Sequence, residues 1–565
     1  MRLPSRILAT LAAVLLLAAP PALAKAPNAP AGARALTAGA VASPDRYGAL
    51  AAEEILKAGG NAVDAAVATA FALAVTYPEA GNLGGGGFMT LLVDGKPYFL
   101  DYRETAPAAA RAGMFLGADG EPVADLSQYG NLAVGTPGTV RGMAMAHKRF
   151  GKLPWAQVLA PAIGYARDGF LVTPQLIGIL DGSRAPLAKT NFETHFGGLK
   201  AGELFRQPAL AEVLTRIAKG GDKAFYQGQT ADLIVAQMAR GPVKGLITKA
   251  DLAAYKAVWR APLQATWRGY DVITAPPPSS GGIALMQLLL IKQAAGTLFA
   301  DVPLNSPHYI HLVAEIEKRV FADRAEYLGD PDFVKVPVDA LIAPDYLARR
   351  AGEIDPEKPS PTPSVKPGLE RPQTTHFSIV DRWGNAVSNT YTINGWFGSG
   401  VVVEGAGFLL NNEMDDFSAK PGAPNMFGVV GGEANAIAPG KRPLSSMTPT
   451  ILTHNGQVAM VIGTPGGSRI FTSVFQVLAD VYDHGLSLAD AQTAQRFHHQ
   501  LLPKDTISFE PYAPPSAALK AALEARGYVT VTQDYNGDIE AIQVVDGTPV
   551  PVADPRARGV ARVVK

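Results

Sequence analysis

Alternation of apolar and polar side chains is clearest in one stretch, from Thr374 to Val380 and again from Ala386 to Asn394. The turn residues Asp381-Arg382-Trp383-Gly384-Asn385 lie between the two runs, so the pattern predicts a β-hairpin. Pairing Val380 with Ala386 puts Phe377, Ile379, Val387, Tyr391 and Ile393 on one face. The other face then carries Thr374, His376, Ser378, Ser388, Thr390, Thr392 and Asn394. A slip of one residue would mix the two sets, and register is strongly specified where one face is buried. In this register Thr392 lies opposite Thr374, hydroxyl beside hydroxyl.

Other segments read as helices. Ala51 to Val75 has helical character, with a break at Gly59-Gly60 and Asn61 as an N-cap. Tyr309 to Tyr327 is a long amphipathic helix with Tyr309, Val313, Ile316 and Val320 on one stripe, a core-packing pattern. Pro276 to Gly282 breaks the chain before a helix over Ile283–Ala295, and Gly135 to Met143 reads as a turn entering a helix. Trp155 to Thr248 reads as amphipathic helices and polar loops. Gly84-Gly85-Gly86-Gly87 lacks the Lys-Ser/Thr of a phosphate loop, and close backbone packing beside a strand over Phe88–Val93 is the better reading. A strand at Tyr98-Phe99-Leu100 leads to Asp101-Tyr102-Arg103-Glu104. Glu353 to Gln373, rich in proline and poor in apolar residues, reads as an exposed linker.

Composition narrows the class. Hydrophobic residues make up 47% and charged residues 18%, enough for a large core. Lys+Arg and Asp+Glu are both 50, so no global basic field points to nucleic acid. There is no cysteine, which excludes a thiol nucleophile and thiolate metal sites. Arg2 and Arg6, the apolar run Ile7–Ala19 and Ala22-Leu23-Ala24 have the form of a secretory signal, with cleavage expected after Ala24. The run is shorter than the roughly 20 residues that span a bilayer, so no stable membrane anchor is expected. The expected location is a bacterial periplasm or the exterior.

Read alone, the candidate chemical residues are ordinary. The threonine pair fits strand propensity. Arg103 reads as a charge at a strand end, Ser445-Ser446 as a turn, and Gly466-Gly467 as a strand-to-helix turn. Asn411 to Asp416 is an acidic loop without EF-hand spacing. Arg496-Phe497-His498-His499 lacks the spacing of a metal site.

Together they say more. TTHFSIVDRWGNAVSNTYTINGWFGSG, GFLLNNEMDDFS, KRPLSSMTPT and GTPGGSRI closely resemble the small subunit of the γ-glutamyltranspeptidase family, which belongs to the N-terminal-nucleophile hydrolases. The resemblance runs from Ala51 to Arg556. It implies a four-layer αββα fold and a precursor that cuts itself between Gln373 and Thr374. The products would be a large piece, 25–373, and a small piece, 374–565, held as a heterodimer. Length alone would have predicted roughly three or four domains.

The resemblance also implies roles. Thr374 becomes the nucleophile, Thr392 orients it, and Gly466 and Gly467 form the oxyanion hole. Arg103, Ser445 and Ser446 hold the substrate α-carboxylate. Asn394, Glu413 and Asp416 hold its α-amino group. Phe427 stands at a lid position usually occupied by tyrosine, within Pro421–Gly432, and covers the pocket by packing alone; a looser lid is expected. The implied partners are glutathione and other γ-glutamyl donors, with water, amino acids or dipeptides as acceptors. No cofactor or metal is implied. A threonine hydroxyl needs an adjacent base, and a free α-amine titrates near pH 8, so cleavage itself would create the base.

Overall fold

The computed structural model describes residues 34–362, 374–533 and 536–565. Gln373 and the N-terminal signal-like segment lie outside the described residues.

The alternating stretch forms the predicted hairpin, with strands Thr375–Val380 and Ala386–Thr392. Val380 pairs with Ala386 and Thr375 with Tyr391, which sets Thr374 across from Thr392 one step further on. The apolar set, Phe377, Ile379, Val387, Tyr391 and Ile393, sits in the largest core cluster. Alternation suits a sheet with one wet face, yet here both faces are buried. A second sheet covers the polar side, and hydrogen bonds satisfy that layer. Ser388 Oγ donates to the Ile462 carbonyl at 3.0 Å and accepts the Thr450 N–H at 3.0 Å. Ser378 Oγ donates to the Glu540 carbonyl at 2.8 Å. Between these layers His376 bridges Thr390 Oγ1 and Ser378 Oγ at 2.8 and 3.1 Å. Burial lowers the His376 pKa to about 3, so the ring is neutral.

The hairpin is the centre of a seven-stranded antiparallel sheet. Its order is Val560–Val564, Gly39–Ser43, Thr375–Val380, Ala386–Thr392, Gly86–Val93, Lys96–Asp101 and Val258–Arg260. The second sheet has six strands, ordered Thr548–Ala553, Glu540–Val545, Gln457–Gly463, Thr450–His454, Tyr270–Thr274 and Leu263–Trp267. Apolar side chains fill the gap at one end, among them Ala42, Leu92 and Val380 against Ile451, Val461 and Ile542. Helices Arg46–Lys57, Ala62–Thr76 and Trp155–Asp168 cover the outer face of the first sheet. Helices Gly281–Ala294, Pro307–Tyr327 and Arg469–Tyr482 cover the second. The order is helix, sheet, sheet, helix. Residues before and after position 374 contribute strands to both sheets.

Local sequence explains the pieces nearest the hairpin. Asn61 and Asp64 form a reciprocal capping box that starts the Ala62–Thr76 helix. That helix is buried on every side, which its small and apolar residues permit. Gly85 allows the close backbone approach expected of the glycine run: a Cβ there would lie 2.0 Å from the Thr392 carbonyl oxygen.

Candidate active site

Seventeen residues from distant parts of the chain line one cavity at the open end of the hairpin. Thr374 and Thr392 stand at its base. Thr392 Oγ1 accepts the Asn394 N–H at 2.7 Å, and its carbonyl accepts from Asn82 Nδ2 at 2.9 Å. Asn394 has a positive φ of 71°, a conformation asparagine tolerates better than most residues. Its Nδ2 donates to the Asn412 carbonyl at 3.0 Å and faces Met426 Sδ at 3.6 Å.

Gly466 and Gly467 form the turn into the Arg469–Tyr482 helix. Both have positive φ, 145° and 57°. Gly467 lines the cavity; Gly466 precedes it in the turn and does not. A Cβ at Gly467 would stand 3.0 Å from the Phe427 ring. Glycine therefore permits both the backbone angle and the ring contact.

Charge is concentrated at the other end. Arg103 is buried at the end of the Lys96–Asp101 strand. Its Nη1 pairs with Glu413 and its Nη2 with Asp416. Nε donates to the Pro443 carbonyl at 3.3 Å and Nη2 to the Leu444 carbonyl at 3.1 Å. Glu104 lies 3.8 Å from Nη1. Burial opposes the Arg103 charge, but Glu413, Asp416 and Glu104 outweigh it and hold the guanidinium protonated. Burial raises the Glu413 and Asp416 pKa values, while Arg103 pulls both down. Burial pushes Glu104 up to about 8 against the same pull. Glu413 Oε2 is buried with no hydrogen-bond partner among the described residues.

Ser445 and Ser446 join this end from a loop held by the proline turn before Gly281. Ser280 N–H donates to the Ser445 carbonyl at 2.7 Å, and Ser445 N–H to the Pro278 carbonyl at 3.0 Å. That proline turn carried no chemical reading in the sequence, but here it shapes the site wall.

The lid closes the cavity through several ties. Asn425 Nδ2 donates to Asp416 Oδ1 at 3.2 Å, and the Met426 N–H to Asp415 Oδ2 at 2.8 Å. Phe427 is buried against Gly467. The Met426 sulfur lies 3.6 Å from the Asn394 amide nitrogen and tethers the lid there. Looseness does not follow from the missing hydroxyl alone, since neighbouring lid residues supply other anchors. The cavity volume is about 20 Å³, scarcely more than one water needs. Outside it lies a cleft of about 1340 Å³, bordered by Asn412, Asp415, Asn425, Met426, Trp396 and Gln128.

Sequence reasoning passed over Arg324, Asn425 and Met426. Arg324 lies in the Pro307–Tyr327 helix and reaches the cavity. A signal was available: position 324 continues the stripe Tyr309, Val313, Ile316, Val320, and a charge on a buried stripe needs a partner. His498 and His499 lie in a buried strand away from the cavity, with His498 Nδ1 2.9 Å from Thr472 Oγ1.

Comparison with known proteins completes the picture. The family model described as Gamma-glutamyltranspeptidase matches residues 48–564. The glutathione hydrolase proenzyme of Pseudomonas aeruginosa is 62% identical over 533 residues, covering 94% of this chain and 95% of the relative. Among solved structures, γ-glutamyltranspeptidase from Pseudomonas nitroreducens complexed with L-DON is 59% identical, with TM-score 0.57, covering 58% of this chain and 97% of that one. Cephalosporin acylase from Bacillus halodurans is 29% identical with TM-score 0.80, covering 96% of this chain and 98% of that one. A family match across nearly the whole described chain, a close relative of almost equal length and a shared layered fold agree: this chain belongs to the γ-glutamyltranspeptidase family.

Proposed function

We propose that this chain is a glutathione hydrolase and γ-glutamyltransferase that makes its own nucleophile by cleavage between Gln373 and Thr374. The observation that carries this reading is the composition of one cavity: a threonine at a strand start, a buried arginine, two serines, and a carboxylate oxygen of Glu413 with no partner among the described residues. An N-terminal α-amine beside Thr374 Oγ would take the hydroxyl proton as Oγ attacks the γ-amide carbon. The Gly466 and Gly467 N–H groups would face the developing oxyanion. Collapse breaks the amide C–N bond, and the leaving amine takes the proton held by the Thr374 ammonium. Water or an amine then attacks the γ-glutamyl-threonine ester and regenerates the hydroxyl.

Recognition divides by charge. The donor's α-ammonium suits Asn394, Glu413 and Asp416; its α-carboxylate suits Arg103, Ser445 and Ser446. The wide cleft beyond the lid gives the leaving peptide and the acceptor room. The two pieces, 25–373 and 374–565, stay together after cleavage because their strands interleave in both sheets. The signal-like N-terminus supports export to a periplasm.

Intact mass with N-terminal sequencing tests the reading. Two chains, the smaller beginning Thr374-Thr375-His376-Phe377, are expected, together with release of cysteinylglycine from glutathione. A folded chain that stays intact removes the catalytic base and leaves a γ-glutamyl-binding protein. The fold shared with a cephalosporin acylase favours one rival, hydrolysis of glutaryl amides, which lack the α-amine. Faster turnover of a glutaryl anilide than of the γ-glutamyl anilide would establish that rival.

A further inference from the structure

The lid carries a methionine whose sulfur sits between two side-chain amides. Met426 Sδ lies 3.6 Å from Asn394 Nδ2 and 3.8 Å from Asn412 Nδ2. Each amide gives one hydrogen to a carbonyl, Asn394 to that of Asn412 at 3.0 Å and Asn412 to that of Gln128 at 2.9 Å. An amide nitrogen carries two hydrogens, so the second of each is left for the sulfur, and a thioether is a weak acceptor. Two donors therefore converge on an atom that binds neither strongly.

Access sets this sulfur apart. Among the described methionines, Met114, Met145 and Met426 are part-exposed and the others are buried. Met114 and Met145 pack against apolar clusters. Met426 borders the wide cleft outside the lid, where a small dissolved oxidant can reach it. Its N–H is fixed to Asp415 Oδ2 at 2.8 Å. The side chain beyond has three rotatable bonds, enough to turn an added oxygen toward the amides.

We propose that Met426 is an oxidation site, and that its sulfoxide oxygen fastens the lid by accepting from Asn394 and Asn412. With hydrogen peroxide the sulfur attacks one peroxide oxygen, the O–O bond breaks and an S–O bond forms. The thioether loses two electrons to the peroxide, and the second oxygen leaves as water with the proton of the transferred hydroxyl. The product replaces a weak acceptor with a polar oxygen beside the same two donors. Phe427, next in the chain, packs on Gly467, so a firmer lid also bears on the site beneath. The tether itself does not depend on the γ-glutamyl reading; its effect on turnover does.

The experiment treats the wild type and Met426→Leu with hydrogen peroxide, maps the oxidised peptides by mass and follows hydrogen exchange of the lid amides between Asn425 and Gly432. In the wild type the lid peptide gains one oxygen at Met426 before the buried methionines react. Exchange in the lid then slows by about 3- to 10-fold, the gain expected of one or two hydrogen bonds. In Met426→Leu the same treatment oxidises Met114 and Met145 and leaves lid exchange within about twofold of the untreated variant. Turnover of L-γ-glutamyl-p-nitroanilide falls by about 3- to 10-fold on oxidation of the wild type and by less than about twofold in Met426→Leu. A wild type that oxidises at Met114 and Met145 but not at Met426 overturns the proposal. So does a Met426 sulfoxide whose lid exchanges at the old rate or faster, or an equal loss of turnover in both proteins. Slowed exchange in a wild type that never turned over the γ-glutamyl anilide removes the γ-glutamyl reading and leaves the oxidised tether standing.

Discussion

The two ends of the cavity are built from opposite materials. The threonine end contains hydroxyls, glycine backbone and, behind them, a histidine that burial keeps neutral. The arginine end packs Arg103, Glu104, Glu413 and Asp416 within ion-pair reach, all buried or nearly so. In the proposed function the difference separates two tasks. Bond making needs a weak nucleophile, a base close to neutral pH and donors aimed at one oxygen, none of which requires a fixed charge. Recognition of a zwitterion needs charges of both signs held apart, and burial makes them discriminating because an unpaired buried charge is costly.

Changes at the threonine end should therefore act on kcat and processing, and changes at the arginine end on KM and stability. The largest effect comes from Thr374→Ala. Mass analysis should find one uncut chain, and turnover of a γ-glutamyl anilide should fall by at least about 10⁴-fold. A processed and active variant would erase the distinction between the ends.

Arg103→Gln comes next. It strands Glu104, Glu413 and Asp416 without their shared cation, so kcat/KM should fall by about 10²- to 10³-fold, mostly through KM. Melting should also shift, since loss of one partner from a buried pair costs about 3–5 kcal/mol. A variant with normal melting and a pure kcat defect would place Arg103 with the catalytic groups.

pH sharpens the contrast with a smaller effect. Burial raises the Glu413 and Asp416 pKa values, so these groups lose their charge for an ammonium at low pH earlier than exposed carboxylates do. KM should fall as pH rises, whereas kcat should follow the Thr374 α-amine near pH 8. Glu104 bears on stability as well. Its folded pKa is raised to about 8 from 4.5. The folded state therefore binds its proton more tightly than the unfolded one. That contribution is complete below pH 4.5 and disappears as pH rises through 8. Glu104→Gln should flatten the decline of Tm between pH 5 and pH 8 in a thermal scan; an unchanged slope would show that other groups set it.

Phe427→Tyr should be the mildest change. The new hydroxyl must displace Met426 from the Asn394 amide before it can bond there. KM should change by less than about threefold, and the ratio of transfer to hydrolysis, measured with glycylglycine as acceptor, is the sensitive readout. A large kcat effect would tie the lid to the chemical step.

Much of this was legible in the linear chain. The Thr374–Asn394 alternation specified the hairpin register down to the pairing of Val380 with Ala386. Asn61 announced its helix by capping chemistry, and the glycine run announced close backbone contact. Burial of the polar hairpin face was not legible, because alternation has the same form whether water or a second sheet lies opposite. Arg324 was hidden for a related reason: helical periodicity states which face is buried, not what it is buried against.

By itself, then, the sequence determined the elements and the hairpin register, because these rest on local periods and short-range backbone chemistry, and its motifs carried the resemblance to the γ-glutamyltranspeptidase family. Tertiary structure alone decided that Arg324 lines the same cavity as Arg103, Glu413, Asp416 and Ser446 and that Met426 takes the place beside Asn394. Those contacts join residues up to hundreds of positions apart, and only the packing of two sheets between helices brings them within hydrogen-bond reach.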